Sequence, residues 1–346
     1  MRFGAGALGS TWPNPAVGAI VVKNQIVVGR GRTGRGGRPH GETAALDMAR
    51  DATVSATLYV SLEPCSHHGK TPPCTDAIVA AGIKRVVATR PDPDPRVAGK
   101  GFARLREAGI DVVTGLLAEQ AARVQAGHIS RVERGRPHVM LKLAISADDA
   151  IGRKGERQVP VTGEIARRHV QALRSRFDAI LVGRGTIEAD DPRLSCRLPG
   201  LEGRSPVRVV LDTENQLAPG WKLFDGGTPT WILGASHKDT DASELRRFKV
   251  PRAGGGLDLA ICLGRLAGEG ITRLLVEGGA HVARSFLKAD LVDEIMLFRS
   301  PIALGGEVVP AFAGLPLSFV EASDRFRRVE RRMFGTDRMS RYERVR

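Results

Sequence analysis

The sequence predicts two consecutive α/β units, and three observations carry that prediction. Short β-branched runs alternate with stretches of helical periodicity, the alternation restarts after a charged Gly- and Pro-containing segment, and 346 residues suit two domains better than one. In the first unit, Ala16–Val22 and Ile26–Gly29 read as a strand pair around the polar turn Lys23-Asn24-Gln25. Glu42–Arg50 reads as a helix, Thr57–Leu62 as a strand, and Cys74–Ala81 as a helix stopped by Gly82. Arg85–Thr89 is the next strand, Gly101–Ala108 a helix ended by Gly109, and Ile110–Val113 the last strand. Arg131–Pro137 (RVERGRP) reads as a linker, which puts the domains at 1–136 and 137–346. The second unit opens with strand His138–Ile145 and continues with helix Ala166–Arg176. Strands Ala179–Val182, Val207–Leu211 and Thr230–Leu233 follow, then helix Leu257–Gly268, strand Arg273–Val276, helix Ala280–Ala289 and strand Glu294–Phe298.

Composition narrows the classes. With 42% hydrophobic and 26% charged residues the chain is ordinary globular protein, and it is long enough to bury its own cores. No apolar run approaches the ~20 residues that a bilayer requires, so no membrane partner is expected. Two of the four cysteines, Cys65 and Cys74, are close in sequence, while Cys196 and Cys262 are isolated. That spacing suits a metal site in a reducing compartment, and the expected location is the cytoplasm. The formal charge is +14, but the cations are scattered over both halves, and three Trp with two Tyr offer little stacking platform. Anionic small molecules are therefore the expected partners and nucleic acid is not.

One constellation carries chemistry. Pro39-His40-Gly41-Glu42 opens a helix, Pro64-Cys65 follows a strand, and Cys74 stands nine residues later in CSHHGKTPPC. One imidazole and two thiolates would hold Zn²⁺ with the fourth tetrahedral position open to water, which can then reach a pKa near ~7. Glu42, two residues past His40, is placed to move a proton from that water to a departing amine. Base deaminases combine His-x-Glu with Pro-Cys-x-x-Cys, whereas here the second cysteine is further along. From the residues alone a structural zinc stays open, with His67 or His68 as fourth ligand, although such a site gives no reason for Glu42.

The motifs Trp12-Pro13-Asn14-Pro15-Ala16-Val17-Gly18, Pro39-His40-Gly41-Glu42 and Leu62-Glu63-Pro64-Cys65-Ser66-His67-His68-Gly69-Lys70-Thr71-Pro72-Pro73-Cys74 resemble the bifunctional deaminase/reductase family of riboflavin biosynthesis. The resemblance implies a cytidine-deaminase-like three-layer α/β domain with zinc on His40, Cys65 and Cys74 and a proton shuttle at Glu42. It further implies pyrimidine contact by Asn14 and phosphate contact by Lys70 and Thr71. The chain departs from the family at Gly41, usually Ala, at Thr33, often His, and at Asp94, often Asn.

In the second half, Leu141-Lys142-Leu143-Ala144-Ile145-Ser146-Ala147-Asp148, Val182-Gly183-Arg184-Gly185-Thr186-Ile187-Glu188-Ala189-Asp190-Asp191-Pro192 and Val276-Glu277-Gly278-Gly279-Ala280 are similar to the family's dihydrofolate-reductase-like α/β domain. Glycines at strand ends let a ligand approach the backbone, and Gly278-Gly279 opens a helix whose amides favour a pyrophosphate. Neither run is G-x-G-x-x-G. By resemblance NADPH meets Ala144, Thr186, Asp190, Thr213 and the segment Gly279, Ala280, His281, Val282, Ala283, Arg284 and Ser285. The substrate, a phosphorylated pyrimidine nucleotide, meets Arg174, Leu194, Arg197 and Glu277, and Lys142 and Glu277 are the ionisable groups expected to manage protons. Such an enzyme would deaminate a diaminopyrimidinone ribosyl phosphate and then reduce the ribose to a ribityl chain, and a homo-oligomer is expected. Two alternatives are a zinc deaminase acting on tRNA or DNA and a zinc-stabilised binding protein with decayed sites.

Overall fold

The computed structural model describes residues 1–236, 239–241 and 244–345. It divides into two compact units, Met1–Pro137 with Ala267–Thr272, and His138–Leu266 with Arg273–Arg346.

The first unit runs α1 (Arg2–Ala5), β1 (Gly18–Lys23), β2 (Ile26–Arg32), α2 (Gly41–Ala49), β3 (Thr57–Val60), α3 (Cys74–Ala80), β4 (Arg85–Ala88), α4 (Lys100–Glu107), β5 (Asp111–Thr114), α5 (Ala118–Val124) and α6 (Ala126–Arg134). Its five strands form one sheet in the order β2-β1-β3-β4-β5. β1 is antiparallel to both neighbours, and β3, β4 and β5 are parallel. Ala19, Val21, Leu58 and Val86 from the strands pack with Ala45, Ile78 and Leu105 from the helices, all of them fully buried. Each buried Leu or Ile contributes roughly 1.5–3 kcal/mol. Gly29 and Gly31 of β2 bring α2 against the sheet: a Cβ on either would lie 2.2 Å from a backbone oxygen, of Ala45 and Gly41 respectively. That contact seats the start of α2, where His40 and Glu42 stand.

The expected linker at 131–137 is corrected. Arg131–Arg134 is the last turn of α6, and the chain turns only at Gly135, at φ 63. The helix buries Ala126, Ile129 and Ser130, and its basic residues face the negative end of the helix dipole. The charge that suggested a linker is a helix terminus.

The second unit comprises β6 (His138–Ile145), β7 (Ala150–Arg153), α7 (Glu164–Arg174), β8 (Ala179–Gly183), α8 (Arg184–Asp190), β9 (Val207–Leu211), β10 (Thr230–Gly234), β11 (Thr240–Asp241), β12 (Leu245–Lys249), β13 (Arg252–Ala253), β14 (Gly256–Leu257), α9 (Leu259–Gly268), β15 (Arg273–Val276), α10 (Ala280–Lys288), β16 (Glu294–Arg299), β17 (Val308–Pro310), α11 (Ser318–Glu321), β18 (Phe326–Phe334) and β19 (Asp337–Arg344). Ten strands form one sheet, β11-β12-β10-β9-β8-β15-β6-β16-β19-β18. Its middle, from β12 to β16, is parallel. β8, β10 and β15 are buried at every residue, as continuous apolar runs covered on both faces should be. The β18–β19 hairpin had no counterpart among the expected elements, because four arginines in Phe326–Phe334 mask its alternation on an edge strand.

Candidate active sites

The first unit gathers His40, Cys65 and Cys74. His40 caps the start of α2 and Cys74 is the first residue of α3, while Cys65 lies in the loop after β3. Their ligand atoms lie within 4.8 Å of one another. His40 Nδ1 is 3.2 Å from Cys74 Sγ and 3.6 Å from Cys65 Sγ, and the Cys74 N–H donates to Cys65 Sγ at 3.3 Å. A tetrahedral zinc with ordinary Zn–N and Zn–S lengths spaces N and S by about 3.5 Å, so the trio fits that ion. Among the described residues neither His67 nor His68 joins the cluster, so the fourth position is not filled by the histidines weighed for it.

The trio shares protons where a cation would serve. Hydrogen bonding to the Cys74 thiol, more than the His40 contact, pulls Cys65 down to about 4. The same sharing raises Cys74 and His40. A metal ion replaces such protons and is favoured by a thiolate already formed. Glu42, 3% exposed, is pushed up to about 7 by burial and by the Cys65 charge. It can therefore hold or release a proton near neutral pH.

A cavity of about 310 Å³ opens beside the trio, lined by Asn14, Thr33, Arg38, His67, Thr71 and Asp94 among others. Asn14 Nδ2 donates to the Gly37 carbonyl at 3.2 Å, and Gly37 (φ 87) leaves no room for a Cβ there. Lys70 is exposed and outside the lining. Thr33 is a brace: its hydroxyl accepts from the Val17 N–H at 2.9 Å. Asp94 is clasped by Arg96, which holds its carboxyl at about 2. The Gly41 departure has a steric cause, since a Cβ would sit 2.8 Å from the Val17 oxygen.

Sequence reasoning missed several residues of this cavity. Glu63 accepts backbone N–H groups of Asp92, Gly99, Gly101 and Phe102 at 2.9–3.2 Å and so fixes the 92–102 segment. Its place within Leu62-Glu63-Pro64-Cys65 was the available signal. Asp92 meets His128 Nε2 at 2.9 Å, and Arg38 and Arg131 bring further positive charge. Nothing local in the sequence marks His128, which α6 delivers from far along the chain.

In the second unit three expected substrate-site residues converge. Arg174 Nε and Nη2 donate to both Glu277 oxygens at 3.0 Å, and Lys142 Nζ lies 3.7 Å from Oε2. Burial alone would raise Glu277, but Arg174 and Lys142 outweigh it and hold the carboxyl at about 2. Burial lowers Lys142 against the pull of Glu277. Leu194 is buried at φ 53, and exposed Arg197 donates its backbone N–H to Gln171 Oε1 at 3.0 Å.

Gly279 caps α10 and gives its N–H to Thr186 Oγ1 at 3.0 Å. Ala280–Ser285 lies in α10, close to the expected helix Ala280–Ala289, so the expected cofactor segment is the cap and first turns of that helix. Ala280 and Ala283 are buried, which leaves their backbone as the part to offer, and His281 and Ser285 are exposed. Val282 packs where a Cβ on Gly183 or Gly278 would collide, at 2.8 and 2.7 Å. Arg284 Nη1 donates to the Ala313 carbonyl at 3.0 Å. Burial raises Asp190, the last residue of α8. Thr213 accepts the Ala235 N–H through its carbonyl at 3.1 Å, and Ala144 lies on β6 beside the core.

With this geometry in hand, comparison with known proteins decides the family. Residues 137–337 match the family model described as the RibD C-terminal domain, and residues 5–90 match the cytidine and deoxycytidylate deaminase zinc-binding region. The riboflavin biosynthesis protein RibD of Escherichia coli K12 is 39% identical over 310 residues, covering 86% of this chain and 84% of its own. The chain belongs to the RibD family. The RibD protein of Bacillus amyloliquefaciens is 41% identical over 317 residues, covering 88% and 83%. Among solved structures, the diaminohydroxyphosphoribosylaminopyrimidine deaminase/5-amino-6-(5-phosphoribosylamino)uracil reductase of Thermotoga maritima superposes with TM-score 0.88 at 32% identity, covering 99% and 96%. The Acinetobacter baumannii RibD reaches 0.87 at 31%, covering 100% and 96%. The RibD fold expected from sequence, a cytidine-deaminase-like domain followed by a reductase domain, is the fold found.

Proposed function

We propose a division of labour within this bifunctional riboflavin-biosynthesis enzyme: residues 1–136 deaminate and residues 137–346 reduce. The chain is a deaminase and a reductase, with zinc and NADPH as cofactors and a pyrimidine phosphate as substrate. One observation carries the assignment of the first step. Three ligand atoms with zinc-like spacing stand beside a buried carboxyl poised at about 7.

In the deaminase cavity, zinc on His40, Cys65 and Cys74 would supply the Lewis acidity that makes water a nucleophile at neutral pH. Glu42 Oε takes the proton of the attacking water and passes it to the departing ring amine, so one water is consumed and one ammonia leaves. Asn14, held by the Gly37 carbonyl, faces the pyrimidine, and Thr71 on the cavity wall serves the phosphate, with the exposed Lys70 next to it in the chain adding positive charge.

In the reductase half, bound NADPH would supply the hydride for the ribosyl C1′. The Gly279 cap and the first-turn amides of α10 favour its pyrophosphate, and Thr186, Asp190, Thr213, Ala144 and the helix through Ser285 line its site. Glu277, with Arg174, Lys142, Leu194 and Arg197, forms the substrate side, and the opened sugar oxygen takes its proton from Lys142.

The enzyme acts on a free nucleotide and not on nucleic acid, in the cytoplasm, as a homo-oligomer. The scattered cations support a small anionic substrate and the four unpaired cysteines a reducing compartment; among the described residues no helix is long and apolar enough to cross a membrane. Zinc-loaded protein given the diaminopyrimidinone ribosyl phosphate and NADPH should release ammonia before the cofactor absorbance falls. Ammonia release without any zinc, or cofactor oxidation that needs no deamination, would sink the assignment. Size-exclusion chromatography with light scattering checks the oligomer.

A further inference from the structure

The cavity beside the metal trio contains guanidinium groups from Arg38, Arg96 and Arg131, and they are not equivalent. Arg96 is committed, since Nε and Nη2 hold the Asp94 carboxylate at 3.0 and 2.5 Å. Arg131 Nε donates to the Ala267 carbonyl at 2.8 Å. Arg38 differs: among the described residues its guanidinium has no hydrogen bond or ion pair, and its Nε is buried without a partner. A half-buried cation with an unmet donor is costly to hold unless an anion completes it. The cost is sharpened by its place two residues before His40, which sets its charge near the site of a metal cation. An anion in the cavity relieves both penalties.

We propose that Arg38 binds the phosphate of the pyrimidine nucleotide in the deaminase cavity and thereby selects nucleotide over nucleoside. The proposal rests on the deaminase reading given above. The phosphate is the substrate's full anionic charge, and a guanidinium offers it paired donors in a fixed fork. Lys70, the residue that resemblance nominated for this contact, is exposed and outside the cavity lining. Arg38 reaches the cavity from the turn that also carries His40, so the residue that holds the phosphate is tied by one proline to a metal ligand.

The test measures ammonia release by zinc-loaded protein without NADPH, on the ribosyl phosphate and on the same compound lacking its phosphate. R38A should raise KM for the nucleotide about 10- to 100-fold, the loss of one charge-assisted contact, and leave the nucleoside unchanged. R38K, which keeps the charge and loses the fork, should recover part of that loss. Ribose 5-phosphate should inhibit the wild type competitively and lose this effect in R38A. Zinc content of each variant reports whether the fold is intact, and R38K carries the test if R38A does not fold. Equal losses on both substrates, or no loss on either, would overturn the phosphate role. A wild type silent on both compounds would remove the deaminase reading itself.

Discussion

The two candidate sites solve opposite electrostatic problems. In the first, charge is left incomplete: Glu42 is buried and pushed up to about 7, and the three metal-binding groups share protons among themselves. In the second, charge is complete before any ligand arrives, with Glu277 held at about 2 between Arg174 and Lys142. A carboxyl that must itself pass protons is kept near its titration point, whereas a carboxyl that holds cationic neighbours in place is locked as an anion. The contrast teaches that burial alone does not set a role. Both glutamate side chains are largely covered, and the partners decide.

The contrast breaks most sharply at Glu42. E42Q keeps the shape and removes the titrating group, so ammonia release should fall about 10²- to 10⁴-fold while zinc content stays level. Reduction of separately supplied deaminated nucleotide should continue. A variant that still deaminates at the wild-type rate would show that proton transfer runs through another group. The corresponding change in the second site acts on stability first. E277Q leaves Arg174 and Lys142 facing a neutral amide, and stranding buried charge costs about 3–5 kcal/mol. Calorimetry should show the second unit melting about 10 °C lower, at 2–4 °C per kcal/mol for a unit of this size. Ammonia release should be untouched.

Sequence made the first site legible because its residues are close together in the chain and chemically rare. His40, Glu42, Cys65 and Cys74 lie within 35 positions, and two helix starts and a strand end bring them together. The parallel core of the second unit was legible for a similar reason, as uninterrupted apolar runs such as Ala179–Gly183 leave few readings. What stayed hidden depends on distance or on masking. His128 meets Asp92 across 36 positions, and the Arg-rich β18 pairs only because β19 returns beside it. The segment 131–137 was misread because charge at a helix C-terminus and charge in a linker look alike one residue at a time. Thr33 and Gly41 departed from the family pattern, and only coordinates show one bracing Val17 and the other avoiding it.

Acid sharpens the comparison in a different way. Glu277 and Glu294 both stand at about 2, below the usual carboxylate value of 4.5; for Glu294, burial is outweighed by its hydrogen bond from His138. Groups depressed on folding add stability above their unfolded value, and that stability is lost as pH falls through the folded value. The second unit should therefore weaken between pH 4.5 and about 2, by up to about 3 kcal/mol for each group. In the zinc-free first unit the shifts oppose. Glu42, raised, favours folding at low pH, and Cys65, lowered to about 4, favours it at high pH. Hydrogen exchange followed from pH 7 to 3 should thus show the second unit losing protection below 4.5, with the first unit nearly level between 4.5 and 7. A steep slope in the first unit would mean that Glu42 and Cys65 do not trade protons.

The smallest effect expected is at Gly41, where two terms of similar size compete. Alanine within a helix gains up to about 1 kcal/mol over glycine. Against that gain, the new Cβ would lie 2.8 Å from the Val17 oxygen and 3.4 Å from Arg32 Cα, so the start of α2 must move. Overpacking against backbone costs about 1–3 kcal/mol, because a carbonyl fixed in its own hydrogen bonds cannot rotate away like a side chain. The Val17 oxygen accepts the Thr33 N–H at 2.9 Å, so the clash term wins. G41A should lower the melting temperature of the first unit by a few degrees, roughly 1 kcal/mol net. Because Gly41 lies between His40 and Glu42, the same displacement should weaken zinc retention measured by competition with a chelator. Tighter zinc binding with a higher melting temperature would mean that α2 yields freely and that the close seat of Gly31 against Gly41 does not hold it.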